Sequence, residues 1–148
     1  LNLNSAAKIK ILWPTEQVSQ DEQLGDNDKS LVSLIEFAGT KILLCSDIEK
    51  FAQKELLRLN PDLKADIVVI PHHGSVKTAE PRFLKNLDAD ILICSCGQSQ
   101  YENTNRARAA GPDVPNMAKS FYTHKNGAVT VSITKSGTIT TTTFVKSQ

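Results

Sequence analysis

The fold of this chain is decided by residues 41–75, which read KILLCSDIEKFAQKELLRLNPDLKADIVVIPHHGS. The mostly apolar run over 41–45 predicts a strand, and the continuous apolar run over 67–70 predicts a strand that is buried on both faces. Between these two runs, apolar side chains recur at helical spacing over 48–59. A strand, a helix and a strand in this order predict a parallel crossover unit.

The same pattern extends on both sides of this stretch. Downstream, a helical pattern over 83–87 and an apolar run over 91–95 predict a second crossover unit. Upstream, residues 8–12 and 31–37 predict strands, and the second of these forms a hairpin with residues 41–45. The sequence therefore predicts an α/β fold in which helices flank a mixed sheet.

The remaining segments are predicted to be loops or β-strands. Residues 15–30 are polar and predict a long loop, and residues 97–119 are irregular, with a short helix near 106–110. The Thr-rich tail predicts an all-β region. Its strands are expected at 121–124, 128–134 and 138–145, with turns at Asn126-Gly127 and Ser136-Gly137.

Composition excludes several functional classes. Hydrophobic residues make up 40% of the 148 residues and charged residues 22%, so the chain can bury a core and is not disordered. The net charge of +1 indicates no overall field for nucleic acid or an anionic membrane. No apolar run approaches the roughly 18 residues of a membrane span. Because the chain begins with Leu1 rather than Met, we expect it to start inside a longer gene product.

The three cysteines, Cys45, Cys94 and Cys96, lie in apolar stretches. An odd number in such positions predicts buried reduced thiols rather than a disulfide framework. Reduced thiols favour a cytoplasmic location or the soluble domain of a membrane protein, since disulfides form in oxidising compartments.

Candidate metal ligands follow two of the predicted strands. Asp47 comes directly after the strand over 41–45, and His72 and His73 come directly after the strand over 67–70. Since ligands bind beyond the carboxyl ends of parallel strands, these side chains converge on one edge and suit Zn, Mn or Fe. Plainer interpretations stay open: Asp47 caps the helix, or one histidine of the pair only forms a hydrogen bond.

Other polar residues have plainer interpretations. The spacing of Ser46 and Glu49 is that of a capping box at the helix start. His124 is predicted to be a surface residue in a strand. By spacing alone, the residues near Asp47 are too few to hold a pair of catalytic metal ions.

Several motifs, taken in order along the chain, resemble a known family. The segments that carry the resemblance are Asn27-Asp28-Lys29-Ser30, Ser46-Asp47, Pro71-His72-His73-Gly74-Ser75, Ser95-Cys96-Gly97, Tyr101 and THKNGAV over 123–129. In this order they resemble the metallo-β-lactamase-fold domain at the C-terminus of ComEC-type competence proteins, and related free-standing hydrolases. The resemblance covers nearly the whole chain.

The resemblance implies a four-layer αββα sandwich, of which residues 1–148 form the C-terminal portion. It implies a dinuclear centre of Zn or Mn between two sheets. The reaction would be hydrolysis of phosphodiesters such as a DNA strand by a metal-bound hydroxide. The family's H-x-H-x-D-H cluster is expected in an upstream half of the same fold, so this portion alone is expected to be inactive.

The resemblance also implies roles for individual residues. Asp47 matches the bridging carboxylate, and the His72-His73 pair matches a late metal ligand, with the choice between the two histidines open. His73 and Asn27 are the implied catalytic residues. Substrate binding falls to Ser75, Ser30 and Tyr101.

Two departures from the family pattern favour a different outcome. The family's glycine before the aspartate is Ser46 here, and no His-Pro follows Tyr101. The alternative is a catalytically degenerate module that binds or scaffolds. A third interpretation, an unrelated doubly wound domain, predicts that no second sheet packs on the first.

Support for a nucleic-acid substrate in the composition is weak. Lys77, Arg82, Arg106 and Arg108 are candidate phosphate contacts, but an ordinary solvated surface charge is the favoured interpretation of each. With aromatic residues at only 5%, the sequence predicts no aromatic stacking platform.

Overall fold

A mixed sheet of seven strands, which follow one another in chain order, is the framework of the structure. The computed structural model describes residues 2–3, 7–103 and 118–145. Neighbouring strands are antiparallel from the first to the fourth strand and parallel from the fourth to the seventh, so the fourth strand belongs to both parts. The strands are β1 (Asn2–Leu3), β2 (Ala7–Trp13), β3 (Val32–Phe37), β4 (Thr40–Leu44), β5 (Ile67–Val69), β6 (Ile91–Cys94) and β7 (Lys119–Tyr122).

Helices and a small second sheet complete the described part of the chain. The α-helices are α1 (Glu16–Ser19), α2 (Lys50–Leu59), α3 (Phe83–Leu87), α4 (98–103) and α5 (Thr123–Asn126). Two 3-10 turns span Asn27–Lys29 and Pro71–Gly74. A hairpin of β8 (Val129–Ile133) and β9 (Ile139–Thr143) forms the second sheet. Within the described residues, no helix combines the length and apolarity needed to cross a bilayer.

One face of the large sheet carries the hydrophobic core. The crossovers β4–α2–β5 and β5–α3–β6 proceed in the same direction along the sheet, so α2 and α3 lie on the same face and contact each other. A row of side chains in register, Leu34, Leu43, Val68 and Leu92, is at most 5% exposed on this face. The burial of this row anchors the predicted crossover units.

The other face carries a second apolar surface, which we call the isoleucine face. Its first row is in register across five strands and consists of Ile9, Ile35, Ile42, Ile67 and Ile91. The next row contains Ile11, Ser33, Leu44, Val69, Ile93 and Phe121. Most of these residues are half-buried, and Ile11 is 53% exposed. The isoleucine face is therefore covered only in part by the described residues.

The β8–β9 hairpin is packed on one side. Alternate residues of both strands are half-buried and the residues between them are exposed. At its turn, Gly137 has a φ of +84°, and an added Cβ would lie 2.9 Å from the backbone oxygen of Ala38. The hairpin turn therefore lies against the β3–β4 turn, and β8 and β9 form a small sheet separate from the large one.

The predicted α/β fold with a mixed sheet is confirmed, but several local predictions are wrong. The segment 15–30 is not a continuous loop, because Thr15 caps α1 and a 3-10 turn follows at Asn27–Lys29. In the tail, β7 joins the parallel sheet beside β6 rather than pairing with β8.

The residues around His124 also differ from their predictions. His124 lies in α5 and not in a strand, and Asn126-Gly127 is not a hairpin turn. Asn126 instead turns inward, where its Oδ1 accepts a hydrogen bond from the Tyr122 backbone at 2.9 Å. The helix predicted near 106–110 lies outside the described residues.

The cysteines bear out their prediction. None of the three cysteines forms a disulfide within the described residues; Cys45 and Cys94 are buried and Cys96 is half-buried. Burial raises the pKa of the Cys45 thiol, because a thiolate is poorly solvated in the apolar core.

The N-terminus of α2 is capped by a residue from a distant segment. The predicted capping box is wrong: the Ser46 hydroxyl donates to the Leu31 backbone oxygen at 2.7 Å instead. One oxygen of Asp28 accepts hydrogen bonds from the backbone N–H groups of Glu49 and Ala52, each at 3.0 Å. These are the two donors that a capping box satisfies with two side chains, and a carboxylate there also complements the helix dipole.

The Asp28 cap predicts a measurable stability difference. We expect Asp28→Ala to lower the free energy of unfolding by about 1–2 kcal/mol, because two backbone donors lose their acceptor. Asp26→Ala is the matched control, since Asp26 is exposed and its side chain does not cap the helix. Urea denaturation of both variants makes the comparison, and equal losses would contradict the assigned cap.

Candidate functional site

Two loops at the carboxyl edge of the parallel strands form the candidate site. One loop follows β4 and carries Asp47 and Glu49, and the other follows β5 and carries His72 and His73. The backbone N–H of His72 donates to the Ser46 oxygen at 3.0 Å, so the two loops are joined directly. The crossover topology thus brings the predicted ligand residues to one edge, as the sequence indicated.

The backbone of both loops is left-handed at several residues. Ser46 has a φ of +49°, and His72, His73 and Gly74 follow one another with φ of +46°, +53° and +76°. Residues other than glycine adopt this region at a cost of about 1–2 kcal/mol each. Such conformations are concentrated at functional sites, where surrounding contacts hold them.

Ser46 occupies a position that suits glycine. Its φ of +49° is the conformation that glycine adopts without strain, and its hydroxyl bond to Leu31 helps to hold it there. The residue before Asp47 therefore has a left-handed backbone, although it is a serine and not a glycine. The departure from the glycine of the family that the sequence resembles does not by itself indicate a degenerate site.

Asp47 and His73 form the pair best suited to a metal ion. Asp47 Oδ1 lies 3.6 Å from His73 Nε2, and both side chains are about half exposed. His73 Nδ1 lies 2.8 Å from the Ser95 backbone oxygen, which can only accept, so Nδ1 carries the proton in the neutral ring. The lone pair of Nε2 is then directed to the same side as the carboxylate.

The Asp47–His73 spacing fits two ligands of one cation. Metal–ligand bonds of about 2.1 Å at a tetrahedral angle place two donor atoms about 3.4 Å apart. The observed 3.6 Å between Oδ1 and Nε2 is close to this separation. In the part of the chain that the structure describes, no group of three or more residues is arranged to hold a metal ion, so the pair falls short of the three protein ligands that catalytic zinc sites use.

His72 is directed to a different carboxylate. Its buried Nδ1 lies 3.3 Å from Glu49 Oε1, at ion-pair distance but without hydrogen-bond alignment. The same Glu49 oxygen accepts a hydrogen bond from Asn27 Nδ2 at 2.9 Å. A depression of ≈ 250 Å³ lies beside this group, lined by residues 25–28 and Glu49. The histidine pair is therefore divided, with ring centroids 6.4 Å apart and planes at 87°.

Sequence reasoning assigned Glu49 only to helix capping and missed its contact with His72. The available signal was its position two residues after Asp47 in the same loop. Spacing alone could not reveal the contact, because it depends on how the loops after β4 and β5 meet.

The other implied site residues lie around these pairs. Ser30 ends the 3-10 turn that carries Asn27, and Ser75 ends the turn that carries the histidines, with its N–H bonded to the His72 oxygen. Tyr101 lies on α4, beyond the exit of β6. Of the candidate phosphate contacts, Lys77 and Arg82 are exposed, whereas Arg106 and Arg108 lie outside the described residues.

Comparison with known proteins gives a match over about half of this chain. No protein-family model matches the chain. It is 33% identical over 73 residues to "ComE operon protein 3" of Bacillus subtilis (strain 168). The matched residues make up 49% of this chain and 9% of that protein, so the similarity spans a small part of the relative's length.

The left-handed backbone at Ser46 predicts a pattern of substitutions. Ser46→Val should lower the free energy of unfolding by about 2 kcal/mol or more, because it loses the hydrogen bond and places a β-branched residue at positive φ. Ser46→Gly should stay within about 1 kcal/mol of the parent, since strain relief offsets the lost bond.

Ser33→Val is the control for this pair, because it makes the same chemical change in the extended backbone of β3, where β-branched residues are favoured. Thermal or urea unfolding gives the comparison. A Ser46→Val effect no larger than that of Ser33→Val would contradict the role of the backbone conformation.

Proposed function

We propose that this chain forms one side of a metal-dependent phosphodiesterase site that acts on a DNA strand in DNA uptake. The observation that carries the proposal is the Asp47–His73 pair, a carboxylate and an imidazole of fixed tautomer at 3.6 Å. The setting rests on the partial match to the ComEC-related ComE operon protein 3 and on the order of motifs along the chain.

Each group in the site has a proposed role. Asp47 and His73 would hold Zn or Mn, and the bound metal would supply a Lewis acid and lower the pKa of a bound water. The ring of His72 lies against Glu49, and its backbone N–H donates to the Ser46 oxygen. We assign this ring to an oxygen of the substrate phosphate rather than to the metal. Asn27 orients Glu49, and the hydroxyls of Ser30 and Ser75 lie at the ends of the two turns for substrate contact.

The remaining ligands come from another segment of the intact protein. Catalytic zinc sites use three protein ligands as a rule, and Asp47 with His73 provides two. The isoleucine face gives independent support, because an apolar sheet face is stable only when another layer covers it. A preceding half of an αββα sandwich, with a sheet that extends the β8–β9 hairpin, would both cover this face and bring the missing ligands.

A second candidate function is a module that has lost catalysis and binds or scaffolds. The absence of a His-Pro after Tyr101 favours it. Ser46, in contrast, does not favour the non-catalytic module, because its backbone has the left-handed conformation that a glycine would adopt at this position. The two candidates differ in whether the intact protein retains metal.

Substitution of the proposed ligands tests the hydrolase. In the intact protein, Asp47→Ala and His73→Ala should lose bound metal and more than about 100-fold of phosphodiester hydrolysis, the upper range for loss of residues that only support ligands. His72→Ala should keep its metal and lose roughly 10- to 100-fold of activity. Asp62→Ala, an exposed carboxylate after α2, is the control.

The measurements are elemental analysis of the purified protein and cleavage of a labelled DNA strand with added divalent metal. Full activity in Asp47→Ala and His73→Ala would sink the proposal. Parent protein that retains no metal and cleaves nothing would identify the non-catalytic module.

A thiol-accessibility experiment tests the covering layer. In intact protein with Cys96→Ser as background, a cysteine introduced by Ile11→Cys should react slowly with a thiol reagent, because the proposed sheet covers it. Lys10→Cys, on the same strand but exposed on the opposite face, should react quickly. Equal rates would exclude a covering layer over this part of the isoleucine face.

A further inference from the structure

Three aromatic rings meet at the carboxyl edge of β6 and β7, apart from the Asp47–His73 pair. The ring of Tyr101 packs edge-on against Tyr122, with centroids 5.0 Å apart and planes at 74°. Its other neighbour is His124, with centroids 5.5 Å apart and planes at 40°. Tyr122 is buried, Tyr101 is half-buried and His124 is exposed, so the rings lead from the core to the solvent.

The ring of His124 belongs to a turn that is held by several hydrogen bonds. The Thr123 hydroxyl accepts a hydrogen bond from the Cys96 N–H at 2.9 Å and donates one to the Cys96 oxygen at 3.1 Å. The N–H of Gly127 donates to the Thr123 oxygen at 2.9 Å and closes the turn. His124 is thus held at a defined position with an exposed ring.

The aromatic cluster lies on the same edge of the sheet as the candidate metal pair. The backbone oxygen of Ser95 holds His73, and the next residue, Cys96, holds Thr123. Strands β5 and β7 flank β6, and neighbouring strands are about 4.8 Å apart, so His124 lies roughly two strand spacings from His73. A ligand extended along this edge reaches both groups.

We propose that His124 and Tyr101 form a stacking subsite for one unpaired nucleobase of a single-stranded nucleic acid. Proteins bind single strands by stacking bases on aromatic side chains, including tyrosine and histidine, and such stacking tolerates any base. The exposed Lys125 beside the outer ring supplies a charge for the backbone phosphates. The identity of the ligand rests on the proposed function, whereas the stacking surface rests on the ring geometry.

Base-dependent binding tests the subsite. The intact protein, kept in EDTA to prevent cleavage, is titrated into a labelled thymidine oligonucleotide and into an abasic oligonucleotide of equal length, with anisotropy as the readout. His124→Ala and Tyr101→Ala should weaken binding of the thymidine strand by roughly 5- to 100-fold, the range measured for loss of one stacked base. The abasic strand should bind these variants as it binds the parent.

Two further variants separate stacking from charge and from folding. Tyr101→Phe keeps the ring and should bind the thymidine strand as the parent does. Lys125→Ala should weaken both strands equally and reduce the salt dependence of binding. His124→Ala changes an exposed residue, so a folding defect does not obscure its result.

The outcomes distinguish this inference from the hydrolase proposal. Equal binding of the two strands by the parent, or equal losses for both strands in His124→Ala, would overturn the stacking subsite. Cleavage of the abasic strand with metal restored tests the metal site that includes Asp47 and His73, and does not require His124 or Tyr101. Base-dependent binding without any cleavage would therefore support the subsite while removing the hydrolase.

Discussion

The carboxylate of Asp28 is the contact on which the candidate site depends. By accepting the N–H groups of Glu49 and Ala52, it joins the segment before β3 to the first turn of α2. The backbone oxygen of Asp28 accepts a hydrogen bond from the Trp13 indole at 2.7 Å, which joins the same segment to β2. Glu49 is thereby held where Asn27 and His72 reach it.

A second constraint is the left-handed backbone at the ends of β4 and β5. Ser46 and the His72–His73 step carry positive φ, and the hydrogen bond between the His72 N–H and the Ser46 oxygen couples them. The strained turns give the two histidines different surroundings: His73 lies beside Asp47 at the solvent, and His72 lies against Glu49. Two adjacent identical residues can thus take separate roles.

The two faces of the large sheet are buried to different extents. The core face is closed by α2 and α3, with Leu43, Val68 and Leu92 fully buried. On the isoleucine face, Ile67 and Ile91 are buried, but most of the other apolar side chains are only half-buried and Ile11 is 53% exposed. Together with the two-ligand set at Asp47 and His73, this difference is the physical basis for proposing a further layer in the intact protein.

The sequence by itself determined the strand–helix–strand order over 41–95 and the edge at which Asp47 and the histidines meet, because apolar periodicity is local and the crossover rule orders the strands. The metal, the substrate and the upstream half stay predictions.

Only the tertiary structure decided that Asp28, rather than Ser46, caps α2, since two N–H groups bind the best-placed acceptor wherever it lies in the chain. It also separated His72 from His73 and brought His124 to Tyr101. The contacts of Asp28 with α2 and of Tyr101 with His124 join distant elements, and the histidines are separated by their different neighbours, so these distances follow from the packing of the strands and not from spacing along the sequence.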